Sequence, residues 1–406
     1  MSYNELLASG IPADRLDLAM SEGTLDVVLK FIGSREPESN MMRPCVVGVI
    51  GGAGDFGTAL AMSFKGSVDV MLYDVIKQKN IFSDLTRIST NRSFCTKFPP
   101  NIFFTSELAK VLEAKFIVLS VPANAIPELL KSIKNILPLT YQEKQYVLVS
   151  KGFIGKGYIP HRWLQKNGIP FENIIWASGG NVARDVMEKH SFKIAVVSMN
   201  KNKTARREFA SMFNREYLYP LEYSGSALLA CELGGILKNY YSGFGRYVLI
   251  KHGEAAFLNY KRMARSEFRR AVRMVSSSPT VSIRAWVIRK ASHGPAFWED
   301  LDVTARDGRN GFFGEHVFNG GNVKKILDEL GLVESFRTLF STLSLFNRIS
   351  KRSFKRLPLL KKILDIYEQL HIEYLESGDA VISEESMEEV QEMEKKVLSY
   401  KRFSFF

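Results

Sequence analysis

Cysteine is scarce in this chain. The three present among 406 residues, Cys45, Cys95 and Cys231, lie far apart and form no CxxC pair and no Cys/His ligand spacing. That argues against a disulfide scaffold and against a zinc site, and it fits a reducing compartment. The six histidines include no HExxH. No apolar run approaches the roughly 18 residues of a membrane span. The opening stretch, MSYNELLASGIPADRLDLAMSEG, carries acids and has neither an apolar signal core nor an Arg-rich transit pattern, so the cytoplasm is the expected compartment. There is no internal repeat and no low-complexity tract.

Acids are also in the minority. Lys and Arg number 55 against 43 Asp and Glu, a formal net charge of +12. Such a balance suits anionic ligands: phosphorylated metabolites, membrane surfaces or nucleic acid. With 46% hydrophobic and 24% charged residues, the composition is that of an ordinary globular chain, long enough for two or three domains.

Residues 1–43 read as an N-terminal extension, helical at Leu25–Ile32 and closed by the polar linker SREPESN. Residues 44–222 alternate strand and helix patterns. Strands are predicted at Cys45–Ile50, Val68–Tyr73, Phe116–Ser120, Tyr146–Ser150, Ile174–Ala177 and Ile194–Ser198. This alternation specifies a mostly parallel α/β sheet. Beyond about Leu221 the strand signal fades. Residues 223–345 read as a helical domain, with helices at Ser226–Tyr240 and Phe257–Val275. Residues 346–406, with the basic KRSFKRLPLLKK and the acidic EESMEEVQEMEKK, read as a helical C-terminal extension.

Gly52-Ala53-Gly54-Asp55-Phe56-Gly57 is a GxGxxG that follows a strand and opens a helix. The three glycines allow a tight turn, close backbone approach to a pyrophosphate, and close helix–strand packing; the helix N-terminus then donates N–H groups to phosphate. The fold class is accordingly α/β, a Rossmann-like dinucleotide-binding domain followed by an all-helical substrate domain. Asp74 ends the next strand, 20 residues beyond Gly54. An acid there accepts the ribose hydroxyls of NAD and repels a 2′-phosphate, which predicts NAD(H) over NADP(H). Phe56 packs either against the nicotinamide region or simply on its own helix.

Two lysines stand out by their surroundings. Lys151, in VSKG, ends a predicted strand, and in a doubly wound sheet strand C-termini face the ligand crevice. Lys238, in CELGGILKNYYSG, sits among apolar and small residues, where an ammonium is costly unless it is paired or its pKa falls. Taken singly, each reads more readily as a surface lysine than as a site residue.

Read in order, GAGDFGTALA, LSVPANAI, VSKG, GGNVARDV, ELGGILKN and DLDVTARDGRN follow one another as in NAD-dependent glycerol-3-phosphate dehydrogenase. From about Val46 to about Leu339 the chain resembles a divergent member of that family. Asp300, Thr304, Arg309 and Asn310 keep the spacing of the family's D-x3-T-x4-RN constellation. The resemblance implies interconversion of dihydroxyacetone phosphate and sn-glycerol 3-phosphate with NAD(H), feeding glycerophospholipid synthesis, in a site between the two domains. It makes Lys238 the acid/base and sets Lys151 near the reacting carbon and the cofactor. Asp300 and Thr304 organise the lysine and substrate. Arg309 and Asn310 hold the substrate phosphate, Arg309 also lying near the cofactor, and Asn239 is a further substrate contact. Asn181 and Ala183 match substrate-side and cofactor-side positions, and Glu334, in VESFRT, a cofactor-side one. Gly52, Gly54, Asp55, Phe56, Gly57 and Asp74 complete the cofactor contacts. No metal is implied. Low polarity and the second cation are expected to lower the pKa of Lys238, and Asp300 to raise it. The family is often dimeric, so a homodimer is expected.

Three departures bear on this. Phe297-Trp298-Glu299 replaces a glycine-rich stretch, and bulky residues there are expected to reshape or narrow the cleft. HGEAAFLNYKRMARSEF replaces the family's GDNTKAA-like segment, and Ser335 stands where the family has glycine. They leave open a catalytically impaired dinucleotide-binding sensor or scaffold, or an enzyme acting on another phosphorylated ketone. Lys261, Arg265, Arg269 and Arg273 recur every four residues as one positive stripe on a helix, with Arg262 and Arg270 beside it. That stripe reads either as a solvated face or as a docking site for an anionic membrane or an acidic partner; no nucleic-acid motif accompanies it. The tail Arg402-Phe403-Ser404-Phe405-Phe406 reads as a docking peptide or as packed on its own domain.

Overall fold

The computed structural model describes residues 45–52, 54–74, 98–179, 183, 187, 192–199, 202–216, 218–225, 227–276, 285–331, 333–349 and 354–400. The expected N-terminal extension, Asn181, Cys95 and the aromatic tail lie outside the described residues.

Eight strands form one sheet in the order β3-β2-β1-β4-β5-β6-β7-β8. They are β1 (Val47–Ile50), β2 (Val70–Tyr73), β3 (Ile102–Thr105), β4 (Phe116–Leu119), β5 (Gln145–Leu148), β6 (Ile174–Gly179), β7 (Phe192–Ser198) and β8 (Leu218–Ser224). Neighbours from β3 through β6 are parallel; β7 runs antiparallel to β6, and β8 parallel to β7. All four residues of β1, β2 and β4 are buried, because helices cover both faces of a parallel sheet and the strands carry no polar side. The expected strands are all present. β3 and β8 were not anticipated: β3 is only four residues long, and β8 contains Pro220, which an edge strand tolerates because one side of its ladder is unpaired.

The connecting helices include α1 (Asp55–Met62), α2 (Ile126–Ile136), α3 (Pro160–Lys166) and α4 (Lys203–Ser211). α2 shows why the pattern works: Ile126, Leu130 and Ile133 fall on one face and are its buried residues.

The helical half is built on α5 (Ala227–Ser276), two helical runs joined at Gly253, where φ is 78° and ψ −174°. Only glycine adopts that conformation without strain. The first run is buried nearly all round, as its continuous apolar sequence requires. Around it pack α6 (Ala285–His293), α7 (Asp300–Asp307), α8 (Arg309–Phe318), α9 (Val323–Leu330), α10 (Glu334–Arg337) and α11 (Leu339–Ile349), followed by α12 (Pro358–Ser377) and α13 (Glu384–Leu398). The two last helices are part of this core. Leu360, Ile363, Leu364 and Tyr367 of α12, with Val390, Met393 and Val397 of α13, are buried in it. The Glu267 carboxylate of α5 accepts the N–H groups of Leu359 (2.8 Å) and Leu360 (2.9 Å). It thereby caps the positive end of α12.

Candidate active site

The glycine loop joins β1 to α1. Gly51, just before the expected motif, has φ of 86°, and the N–H groups of Gly51 and Gly52 both donate to the Tyr73 carbonyl, at 2.8 and 2.9 Å. A methyl on Gly57 would lie 2.3 Å from the Gly51 oxygen, and one on Gly52 would lie 2.8 Å from the Leu72 Cβ. These two glycines therefore serve close packing of the turn against α1 and β2. At Gly54 an added Cβ meets only the Gly51 oxygen, at 3.2 Å. The N-cap residue Gly54 makes no side-chain cap hydrogen bond, and a helix N-terminus of this kind presents N–H groups toward an anion. The cradle fits a dinucleotide pyrophosphate. Asp55 opens α1 and Asp74 follows β2. Phe56 is half-buried and packs against the core cluster that includes Val47, Val49 and Leu60. Ala183 is buried against Ala59 of α1.

Lys238 and Lys151 arrive from opposite halves of the molecule. Lys151 follows β5 at the carboxyl edge of the sheet, and its Nζ donates to the Gly179 carbonyl at the end of β6 (3.1 Å). Lys238 projects from α5, whose close approach depends on two glycines. A Cβ on Gly234 would lie 2.6 Å from the Ala296 oxygen, and one on Gly235 would lie 3.2 Å from the Trp176 ring and 3.7 Å from Lys151 Cγ. The small neighbours of Lys238 thus serve close packing, as expected.

Asp300, at the start of α7, joins the two amines. Its Oδ1 lies 3.0 Å from Lys238 Nζ and its Oδ2 2.9 Å from Lys151 Nζ. Lys238 also donates to Thr304 Oγ1 (2.5 Å), and that hydroxyl donates to Asp300 Oδ1 (3.3 Å). The Asp300 side chain is 1% exposed and that of Lys238 6%, while that of Lys151 keeps 18%. Burial drives the Lys238 pKa down, Asp300 pulls it back and Lys151 lowers it further, leaving it at about 8. Glu334, at the start of α10, is within electrostatic range of the same amine and also raises it.

Beside Lys238, Asn239 accepts from the Asn310 side-chain amide (3.2 Å), and Asn310 in turn accepts the Ser335 backbone N–H (2.8 Å). These bonds fix both amides with N–H groups still to give. Arg309 is the first residue of α8 and is half-buried. The structure therefore brings Lys151, Lys238, Asn239, Asp300, Thr304, Asn310 and Glu334 into one connected cluster. Gly51, the Gly179 carbonyl and the Ser335 N–H were not foreseen. Only the doubled glycine ahead of the motif carried a hint of the first; the other two are backbone groups without a side-chain signature.

The expected narrowing of the cleft by Phe297 and Trp298 is corrected. Phe297 is fully buried, stacked on Phe268 at 4.2 Å and edge-on to Tyr241 at 5.9 Å. Trp298 lies beneath Lys261 (4.2 Å) and Arg265 (4.5 Å). Both bulky rings are used in packing against α5. The cationic stripe is corrected with them. Lys261 is 6% exposed and paired with Asp302 at 2.5 Å, so the stripe is neither a solvated row nor a continuous docking face.

Residues 46–205 match the family model described as the NAD-dependent glycerol-3-phosphate dehydrogenase N-terminus. The chain is similar to the glycerol-3-phosphate dehydrogenases. A protein of Vesicomyosocius okutanii named glycerol-3-phosphate dehydrogenase [NAD(P)+] is 24% identical over 305 residues, covering 73% of this chain and 86% of the relative. The NADP(+)-dependent glycerol-3-phosphate dehydrogenase of Archaeoglobus fulgidus is 26% identical over 284 residues, covering 67% and 80%. Among solved structures, the family's enzyme from Coxiella burnetii superposes with a TM-score of 0.61 at 18% identity, covering 82% of this chain and 98% of that one. The yeast enzyme gives 0.63 at 19%, covering 80% and 96%. At these identities the superpositions establish the shared fold. Among the described residues no helix is long and apolar enough to cross a membrane, and no group of three or more His, Cys, Asp or Glu is placed to hold a metal ion.

Proposed function

We propose that the protein is an NAD-dependent glycerol-3-phosphate dehydrogenase, interconverting dihydroxyacetone phosphate and sn-glycerol 3-phosphate and so supplying glycerophospholipid synthesis. The observation that carries the reading is the bridge made by Asp300 between Lys238 and Lys151, one lysine from each half of the molecule. The glycine loop with α1 holds the dinucleotide, and bound NADH supplies the hydride. As the ketone is reduced, charge grows on its oxygen. The Lys238 ammonium stabilises that charge and delivers the proton, worth roughly 10²–10⁴-fold. With a pKa of about 8, the amine is able to give the proton in reduction and take it in oxidation near neutral pH. Lys151 adds a second positive charge, and Asp300 with Thr304 holds the amine in place. Arg309 offers a planar fork for the substrate phosphate, and Asn239 and Asn310 add neutral donors. Anchoring that remote group aligns the ketone for transfer.

The preference for NAD over NADP is a finer proposal, resting on Asp74 at the end of β2. Assembly as a homodimer and docking to a membrane are separate proposals, and turnover requires neither. The test is NADH oxidation dependent on dihydroxyacetone phosphate, run beside Lys238→Ala. The variant is expected to lose at least about 100-fold in kcat with unchanged circular dichroism. Binding of NADH without turnover of this ketone would remove the assignment.

A further inference from the structure

The positive charge that the sequence laid along α5 is regrouped in the fold. Lys261 turns inward to Asp302, whereas Arg269 bonds to α6 and lies within electrostatic range of both Arg273 and Arg289. After its first residue, Ala285, the exposed residues of α6 are Trp286, Arg289, Lys290 and His293, at helical spacing i, i+3, i+4 and i+7; Val287, Ile288, Ala291 and Ser292 are buried beneath. The two faces are joined where Arg269 donates to Nε2 of the His293 ring (3.4 Å), whose Nδ1–H donates to the Arg289 carbonyl, and to Ser292 Oγ (2.9 Å). Neither partner of that guanidinium is a carboxylate. Burial, Arg289 and Arg273 all press Arg269 toward its neutral form; burial, and then the charges of Arg265, Arg269 and Arg289, do the same to His293 against the opposing hydrogen bond to the Arg289 carbonyl. Glu299, the acid toward the Tyr223 side of the patch, is already paired with Lys193 at 3.3 Å. Like charges held together cost free energy that an external anion relieves. The patch also exposes 61% of Trp286, an aromatic ring of the kind that settles at headgroup level.

We propose that this face, formed by Arg269, Arg273, Trp286, Arg289 and Lys290, docks the protein peripherally on an anionic lipid bilayer. A flat lipid surface satisfies several separated cations at once and takes the indole into its interface, which a compact acidic peptide does not.

The test is flotation of the full chain with phosphatidylcholine vesicles, with and without phosphatidylserine. Binding is expected only to the anionic vesicles and is expected to fall at high salt. The double variant Arg289→Gln/Lys290→Gln should bind about 25-fold more weakly, about five-fold for each cation removed. Trp286→Ala should also weaken binding while leaving its salt dependence intact. Circular dichroism and NADH binding serve as folding controls, and Arg273→Gln, at an exposed position, is the substitute should the double variant misfold. Equal flotation with neutral vesicles, unchanged binding by the glutamine variants, or retention on immobilised polyglutamate without vesicle binding would each overturn the proposal.

Discussion

A methyl group added to Gly314 would lie 2.1 Å from the Cα of Gly243. The two glycines let α8 and α5 cross almost backbone to backbone, and one helical turn earlier on each helix stand Asn310 and Asn239, hydrogen-bonded at 3.2 Å. The crossing therefore sets the position of the amide pair. Gly314→Ala is expected to destabilise the fold by at least about 1–3 kcal/mol, through overpacking against a backbone that has no side chain to move aside. Urea unfolding measures that loss. In protein that still folds, KM for the phosphorylated substrate should rise more than kcat falls.

The Lys238 amine, held at about 8, sets a pH limit of opposite sign in the two directions. Reduction needs the ammonium, so its rate should decline as pH rises through about 8; oxidation needs the neutral amine and should gain over the same interval. Lys151 depresses this pKa, so in Lys151→Met the break should move to higher pH. Pre-steady-state rates across pH check both. An alkaline break unmoved in that variant would show that the limiting group is elsewhere.

Asp300→Asn should be more harmful than either lysine change. It leaves two ammonium groups facing each other with their shared carboxylate gone, and breaking such a buried pair typically costs about 3–5 kcal/mol. Asp300 is also the group that most raises the Lys238 pKa, so any folded variant should show its break at lower pH. A thermal melt and the pH–rate profile together test this.

The coenzyme preference is expected to follow Asp74. The wild-type chain should use NADH with a higher kcat/KM than NADPH, and Asp74→Ser should narrow the ratio by removing a charge that repels the 2′-phosphate. Equal use of both by the wild type would end the assignment.

Phe297→Ala should lower stability by about 3–5 kcal/mol, as expected of an aromatic ring lost from a filled core. The folded fraction should keep its KM, because the ring packs on Phe268 and Tyr241. A lowered KM would return Phe297 to the cleft.

Side chains with unusual chemistry for their surroundings were the legible part of this molecule. Lys238 in an apolar helix, Lys151 at a strand end and the Asp300–Thr304–Asn310 spacing identified groups that meet in space. Backbone groups were illegible: the Gly179 carbonyl and the Ser335 N–H act through position alone, which residue identity does not encode. Four-residue β3 and proline-containing β8 lacked the alternation that marks a strand. For Phe297, bulk was visible but direction was not, since the turn that aims it at Phe268 is set by packing. The amphipathic pattern of α12 and α13 specified helices without naming the surface that receives them. The stripe from Lys261 to Arg273 shows the converse error, in which regular spacing concealed that its first member is buried.

The cap on α12 constrains the order in which the chain is completed. Glu267 waits for the amides of residues 359 and 360, and Glu394, from the last helix, reaches back to Tyr247, Lys251 and His252. The catalytic half therefore closes fully only when α12 and α13 are packed on α5. A chain nicked ahead of Pro358 would strand an acid among aromatic rings, so proteolysis in that connection should disable an enzyme whose every reacting group remains on the larger fragment.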